Sequence, residues 1–240
     1  MRVVILVGLL AAFQTAFAQG DTSSVRKWSY EVFYAPNVSY RIITNVGDEE
    51  WILDKRKETE VPRMGFSLKV GMIRNINARL SIGTGLSFSS MGFKTKTTEL
   101  TWAVADVNLP TEIRNSSRYT YLAIPLLAYY KLKVKEKWSA DLIVGGSFNI
   151  YQNKNVVTQV RTNGNWTSYP DKGFRYNFIN LFAMAGIGGA YQINYHWMLK
   201  SNFTLNQSFI ATNTHAEIKE YLNFLEIGVG VNYRFRKKSN

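Results

Sequence analysis

Charged residues of both signs recur at the polar positions of otherwise apolar segments. They are Glu31, Lys69, Arg79, Asp141, Lys200, Glu226 and Arg234. An isolated charge taken out of water is costly, so charges on the inner side of a fold must pair or stay hydrated. Such a set suits either a structural ion-pair network or a path for protons or ions. We predict the ion-pair network, because the fold derived below leaves little room for a channel.

Histidine offers little for catalysis or metal binding, because the chain has only 2 histidines. His215 stands near Glu217 and Glu220, and a His-carboxylate pair at an outer rim suits a hydrolase. Pairs of this kind are also common in solvated loops, and two ligands are too few for a metal site. We therefore predict no catalytic residues, no metal site and no cofactor, with a rim hydrolase acting through His215 as a minor alternative.

The chain is strongly basic, with a formal net charge of +12. No motif that combines base stacking with basic residues stands out, so nucleic acid is not an expected partner. Basic clusters such as Lys94 with Lys96 and residues 55–57 are predicted to contact anionic lipid phosphates, and solvated loop charge is the alternative. The predicted partners are outer-membrane lipid and other envelope or secretion proteins.

The element that must position these residues is the β-strand. From Leu225 to Phe235, odd positions are apolar and the positions between them are small or polar, and this period of two indicates a strand with two different faces. The same pattern occurs in seven further segments, at residues 28–40, 64–72, 80–88, 122–130, 138–150, 179–191 and 197–209. The sequence therefore predicts eight strands.

The connections alternate between short and long. The short ones lie at residues 75–77, 133–137 and 194–196, and the long ones at 43–60, 95–118, 153–175 and 211–220. This rhythm is typical of an antiparallel up-and-down barrel with short periplasmic turns. An eight-stranded lumen is narrow, so the bulky apolar faces must point outward, into lipid, and the Gly, Ser and Asn faces inward. We predict an all-β, eight-stranded transmembrane barrel rather than a soluble one.

Aromatic residues mark the ends of the apolar faces. Near the short turns lie Trp28, Trp138, Tyr191, Trp197, Tyr233 and Phe235, which are predicted to form a membrane-interface belt. The alternative is that aromatic residues simply favour strands. In the fourth segment both faces are apolar, so Tyr119, Tyr121, Leu127 and Tyr129 are predicted to point into the lumen.

The N-terminus has the features of a secretory signal peptide. Arg2 precedes a short apolar stretch at residues 3–12, and Ala16 and Ala18 form a small-x-small cleavage pattern. The apolar stretch is shorter than the ~20 residues that a membrane-spanning helix needs. We therefore assign residues 1–18 to a signal peptide and 19–240 to an outer-membrane barrel domain.

Three motifs resemble the outer-membrane β-barrel domain proteins of the Bacteroidetes type, often grouped as PorT-like. They are YLAIPLLAYYK at residues 121–131, GTGL at 83–86 and IGVGVNYRF at 227–235. The resemblance implies an eight-stranded barrel and brings no catalytic residue with it. Some members of that group look like accessory components of protein export or gliding, and relatives commonly end on an aromatic residue, whereas here five residues follow Phe235.

Together these features predict a non-enzymatic protein of the bacterial outer membrane. Its rigid barrel would present four long loops for interaction, adhesion or an accessory role in protein export, since loops on a rigid scaffold commonly carry function. A narrow pore for small solutes is the alternative.

Overall fold

The computed structural model describes residues 28–45, 50–104, 106, 108–171, 177–213 and 218–234. The strands are β1 (Trp28–Asn45), β2 (Glu60–Asn75), β3 (Leu80–Thr95), β4 (Thr98–Glu99), β5 (Glu112–Lys135), β6 (Trp138–Thr162), β7 (Asn165–Asp171), β8 (Ile179–Gln192), β9 (Trp197–Ser208) and β10 (Ile218–Arg234), with one helix, α1 (Glu50–Thr59), between β1 and β2. No helix in these ranges is long and apolar enough to cross a membrane. The predicted signal peptide lies outside the described residues.

Eight of these strands form a closed antiparallel ring in the order β1, β2, β3, β5, β6, β8, β9 and β10. The last strand returns to the first, with pairs running from Ser29 opposite Arg234 to Asn45 opposite Ile218. Closure gives every ring strand two neighbours, which a bilayer requires because hydrocarbon cannot hydrogen-bond a free edge. The predicted eight-stranded up-and-down barrel is confirmed.

The two faces of the ring strands differ as the alternation predicted. Leu142, Leu205 and Val229 are 41%, 43% and 54% exposed on the outer surface. Inward-facing Asn206 and Glu226 are each 1% exposed. The apolar faces therefore point outward and the polar faces line the lumen.

Strand β5 is the exception, because its inward face is also apolar. Tyr119, Tyr121, Leu127 and Tyr129 are buried, which confirms the prediction for this segment. Pro125 has no N–H to donate to the ladder, and the side chain of Thr84 on β3 donates a 2.9 Å hydrogen bond to its carbonyl oxygen. This contact supplements the ladder at the proline.

All four predicted long loops were wrong in part, because strands extend into each of them, and the extension is longest in two. β5 begins at Glu112, and β6 runs to Thr162 before turning back into β7. Asn163 and Gly164 make this turn with φ values of 53° and 80°, the left-handed conformation of an Asn-Gly hairpin. The segment 43–60 likewise contains α1.

These strands continue the same sheet beyond the ring. β6 last pairs with β8 at Ile150 and continues for 12 residues to Thr162, about 40 Å at the usual strand rise. Residues 112–118 of β5, 151–162 of β6 and β7 are called the outer extension below. It stands at the end of the barrel opposite the short turns.

Candidate functional site

Two ion pairs fill the middle of the lumen. Lys69 on β2 pairs with Glu226 on β10, and Lys200 Nζ on β9 lies 2.8 Å from Glu31 Oε2 on β1. Each pair spans one intervening strand of the ring. The structure therefore brings together four of the seven charged residues predicted for the lumen.

Tyr129 joins the second pair from the opposite wall. Its hydroxyl lies on β5, three strands from β1, and donates to Glu31 Oε1 at 3.2 Å. The ammonium group of Lys200 also lies 4.7 Å from the centre of the Tyr129 ring, within cation–π range. These contacts cross the lumen and fix the carboxylate of Glu31 between a cation and a hydroxyl donor.

The short-turn end of the lumen contains a small polar cavity. Asp141, Lys200 and Arg234 line it together with Lys131, Ser29 and Asn232. Asp141 and Arg234 belong to the predicted set, whereas Lys131 was missed. Lys131 lies directly opposite Asp141 in the β5–β6 register. Its inward orientation could have been inferred from the sequence, because it stands two residues after Tyr129, which was predicted to face the lumen.

Arg79 was assigned wrongly to this interior set. It lies in the turn between β2 and β3 and is exposed. The alternation was extended one residue beyond the start of β3 at Leu80, where the backbone no longer alternates between lumen and lipid.

The outer end of the lumen is closed by an aromatic plug. Its buried members are Met91, Phe93, Tyr119, Tyr121, Phe182, Leu222 and Phe224. The ring of Phe182 lies 6.3 Å from that of Tyr121 and 5.7 Å from that of Phe224, both in tilted or edge geometries favourable for aromatic pairs. Side chains from four different ring strands thus meet at this level.

An ion-pair cluster ties the plug to the elements above it. Arg41 bonds Glu60 at the start of β2 and lies 2.6 Å from Glu220 Oε1 on β10. Its guanidinium also lies 3.7 Å from the centre of the Phe93 ring. Arg56 of α1 reaches Glu220 at 3.6 Å, which connects the helix to the same cluster. Sequence reasoning missed Arg41 and Glu60 because both were near or within a predicted loop.

This cluster also bears on the hydrolase alternative. Glu220, one of the carboxylates near His215, is engaged by Arg41 and Arg56. His215 and Glu217 lie outside the described residues. Among the described residues, no group of three or more His, Asp or Glu side chains is arranged to hold a metal ion.

The predicted belt residues lie at the short-turn rim. Trp138 and Tyr191 are paired across β6 and β8 with ring centres 4.7 Å apart. Trp197 and Tyr233 are paired across β9 and β10 at 4.9 Å. Trp28 is exposed at the start of β1 beside Arg74, and Phe235 lies outside the described residues.

The outer extension carries its own polar contacts. Arg161 of β6 forms a 2.8 Å ion pair with Glu112 of β5. Arg114 donates to Gln159 at 2.7 Å and lies 4.1 Å from the ring centre of Trp166 on β7. These cross-strand contacts join all three strands of the outer extension, and Tyr169 of β7 is exposed.

Comparison with known proteins shows which family and which solved structures the chain resembles. A family described as outer membrane protein beta-barrel domain matches residues 17–236. The outer membrane protein OprG from Pseudomonas aeruginosa is 10% identical, with a TM-score of 0.50 and coverage of 88% of this chain and 97% of that one. Neisserial surface protein A is 12% identical, with a TM-score of 0.47 and coverage of 87% and 97%. No curated protein sequence matches the chain.

The prediction that the chain is non-enzymatic is wrong, because it was inferred from the barrel architecture. Similar structures include the outer membrane protease OmpT from Escherichia coli, at 9% identity, a TM-score of 0.46 and coverage of 90% of this chain and 99% of that one. The fold alone assigns this chain neither an activity nor the lack of one.

Proposed function

The chain belongs to the outer membrane protein β-barrel domain family, and from that premise we propose that it is a plugged barrel whose outer extension contacts other molecules at the cell surface. It is a protein of the bacterial outer membrane. The proposal joins two features that the ring itself does not require: a filled lumen and a rigid sheet that projects beyond it.

The observation that carries the first half is the aromatic plug. Tyr119 and Met91 are fully buried and Tyr121 is 1% exposed, so the outer end of the lumen is packed like a protein core. The ion pairs of Lys69 and Lys200 occupy the level below. An eight-stranded ring has an interior just wide enough for its own side chains. A lumen filled in this way favours a scaffold over a solute pore.

Conductance in a planar bilayer tests the plug directly. We expect no steady openings from the refolded wild type. A variant that truncates both filled levels, with Tyr119→Ala, Tyr121→Ala and Phe182→Ala in the plug and Glu31→Ala and Lys200→Ala in the pair below, should conduct, because it removes side chains that cross the lumen at each level. Heat-modifiable migration on a gel verifies that each protein is folded. Steady openings from the wild type would favour the narrow pore and overturn the proposal.

The outer extension supports the second half of the proposal. Its strands are joined by the Arg161–Glu112 ion pair and by the contact of Arg114 with Trp166, so it is a structured sheet rather than a loose loop. Function commonly lies on segments held by a rigid scaffold. Tyr169 presents an exposed aromatic ring there, a residue type enriched at binding interfaces.

Site-specific photo-crosslinking in intact cells tests this contact. A photoreactive phenylalanine at Tyr169 or Ser168 should give a discrete adduct, whereas one at Glu136, in a short turn at the opposite end, should not give the same adduct. Mass spectrometry then identifies the partner as an envelope protein or a surface polymer. Identical results from both ends, or no adduct from the outer extension, would contradict the proposal.

We also propose a narrower assignment: the chain is a PorT-like protein of the Bacteroidetes type, with an accessory role in protein export. Support comes from the motif at residues 121–131, which forms the centre of β5 and supplies Tyr121, Leu127 and Tyr129 to the lumen. A location of the gene beside secretion or gliding components would support this role. A location beside nutrient-uptake receptors would count against it.

A further inference from the structure

The outer rim of the barrel is chemically uneven. On the side of β8 and β9 it ends in exposed apolar side chains, including Phe178, Ile179 and Phe209. On the side of β2, β3 and β5 it carries Arg63, Lys94 and Arg118, called the basic collar below. An uneven rim of this kind means that lipid around the barrel meets different chemistry on its two sides.

The three strands that carry the basic collar are consecutive in the ring. Lys94 is opposite Val61 on one side and Ser116 on the other, and Arg118 is opposite Gly92. Because Gly92 has no side chain, no bulky group separates Arg118 from the β2 strand. Adjacent strands lie about 4.8 Å apart, so the backbones that carry Arg63 and Arg118 are about 10 Å apart.

The cations of the basic collar have no carboxylate partner. None of the ion pairs between described residues involves Arg63, Lys94 or Arg118. Nη1 of Arg63 is buried and donates to no acceptor among the described residues, and the positive charge of Arg118 is close enough to repel that of Arg63.

Two of the carboxylates at this end of the barrel are engaged by other cations. Glu60 bonds Arg41, and Glu112 pairs with Arg161. Two guanidinium groups and an ammonium group on three consecutive strands, with no ion-pair partner among the described residues, attract an anion. The protein itself supplies none at this position among its described residues.

The height of the basic collar indicates which anion is near. The outward apolar face of β5 ends at Leu122, four residues or about 13 Å below Arg118. On β2 and β3 the outward rings of Phe66 and Phe88 contact each other at 6.2 Å below Arg63 and Lys94. Cations just beyond the apolar band are level with the headgroups of the outer leaflet.

We propose that the basic collar binds the phosphate groups of a phosphorylated glycolipid in the outer leaflet. Guanidinium groups match phosphate oxygens with paired N–H donors, and an ammonium group adds a third contact. A sugar headgroup with two phosphates can reach cations on more than one strand at once. The lipid is then held on one side of the barrel and not on the side of Phe178 and Phe209.

Lipid retention in native mass spectrometry tests the proposal on the full refolded chain. The probes are a glycolipid with two phosphates on its sugar headgroup and the same glycolipid after removal of both phosphates. We expect the wild type to retain the phosphorylated form about tenfold more, as charge-assisted contacts predict. The triple variant Arg63→Gln, Lys94→Gln and Arg118→Gln should lose this preference.

A matched control removes the same charge elsewhere. Arg74→Gln, Lys135→Gln and Lys137→Gln take three exposed cations from the short-turn rim and should leave the preference unchanged. If the collar triple variant fails to show heat-modifiable migration, the single variant Arg118→Gln, at an exposed position, replaces it and should weaken the preference.

Three outcomes would overturn the proposal. Equal retention of both glycolipid forms by the wild type would show that phosphate is not recognised. Equal loss in the collar and control variants would show a general effect of net charge. Equal retention of phosphatidylglycerol, or capture of an acidic protein by a photoreactive residue at Lys94 without glycolipid preference, would assign the basic collar to a different occupant.

Discussion

The outer level of the lumen is filled by interlocking aromatic rings around Tyr121 and Phe182, whereas the middle level is filled by opposite charges such as Lys69 and Glu226. Both fill the same closed ring. In the plug, each ring touches several others, so the loss of one contact leaves the rest. In the middle, Lys69 and Glu226 depend on each other, because an unpaired ion in a narrow lumen is costly. The two levels should therefore respond differently to substitution.

The largest effect is expected in the middle level. Glu226→Gln leaves Lys69 without its carboxylate and should lower the free energy of unfolding by about 3–5 kcal/mol. Urea unfolding of the protein in lipid vesicles, followed by tryptophan fluorescence, measures the change. The double variant Lys69→Met, Glu226→Gln should recover most of the loss. A double variant as unstable as the single one would show that matching of charge is not the cause.

Substitution of a glycine beside the ion pairs should lower the stability nearly as much as Glu226→Gln does. A Cβ at Gly85 would lie 2.2 Å from the carbonyl oxygen of Val70, and backbone cannot move away as a side chain does. Gly85→Ala should cost about 1–3 kcal/mol of stability. Gly189→Ala is the control, because its Cβ would meet only Ser201 Oγ at 3.5 Å. Equal stabilities of the Gly85→Ala and Gly189→Ala variants would contradict the close approach of β2 and β3.

The plug should tolerate a change of shape. Phe224→Leu keeps an apolar side chain in a cluster of seven buried residues and should cost only about 1 kcal/mol. The same urea experiment measures it, and conductance should stay absent. A loss as large as that of Glu226→Gln would erase the difference between the two levels.

The smallest effect is expected above the plug, where charge is again exposed to water. Arg56 is 39% exposed and reaches Glu220 at 3.6 Å, so Arg56→Gln should change stability by less than about 0.5 kcal/mol. Arg41→Gln should cost more, because Arg41 is 8% exposed and contacts two carboxylates. Equal effects of the two substitutions would show that burial does not set the strength of these pairs.

The barrel was predictable because the two-residue period of a strand determines both which residues face lipid and which face the lumen. When Leu225, Val229 and Val231 are assigned to lipid, the residues between them must face the lumen, and Glu226 follows without further information. The same reasoning placed Glu31, Lys69 and Lys200 inside. It failed at Arg79, because the alternation stops where a strand ends and strand ends are the least certain part of such an analysis.

The pairing of the charges was beyond the sequence. Which carboxylate meets Lys69 depends on the stagger of β2, β1 and β10, and that stagger is a property of the closed ring. Arg41 and Glu60 were missed for a related reason, since they meet only after β1 and β2 extend into a segment assigned to a loop. The Asn163–Gly164 turn is different, because an Asn-Gly pair between apolar runs is a strong hairpin indication that was present in the sequence.

The seam between β1 and β10 has a consequence for how the protein is made. Because the first strand of the ring pairs with the last, with 172 residues between them, the sheet stays open until β10 has been synthesised and inserted. A nascent chain that stops before Ile218 would expose the backbone edges of β1 and β9, which lipid does not accommodate. Ring closure thus acts as a checkpoint in biogenesis: the membrane accepts the sheet only once its final strand has joined it.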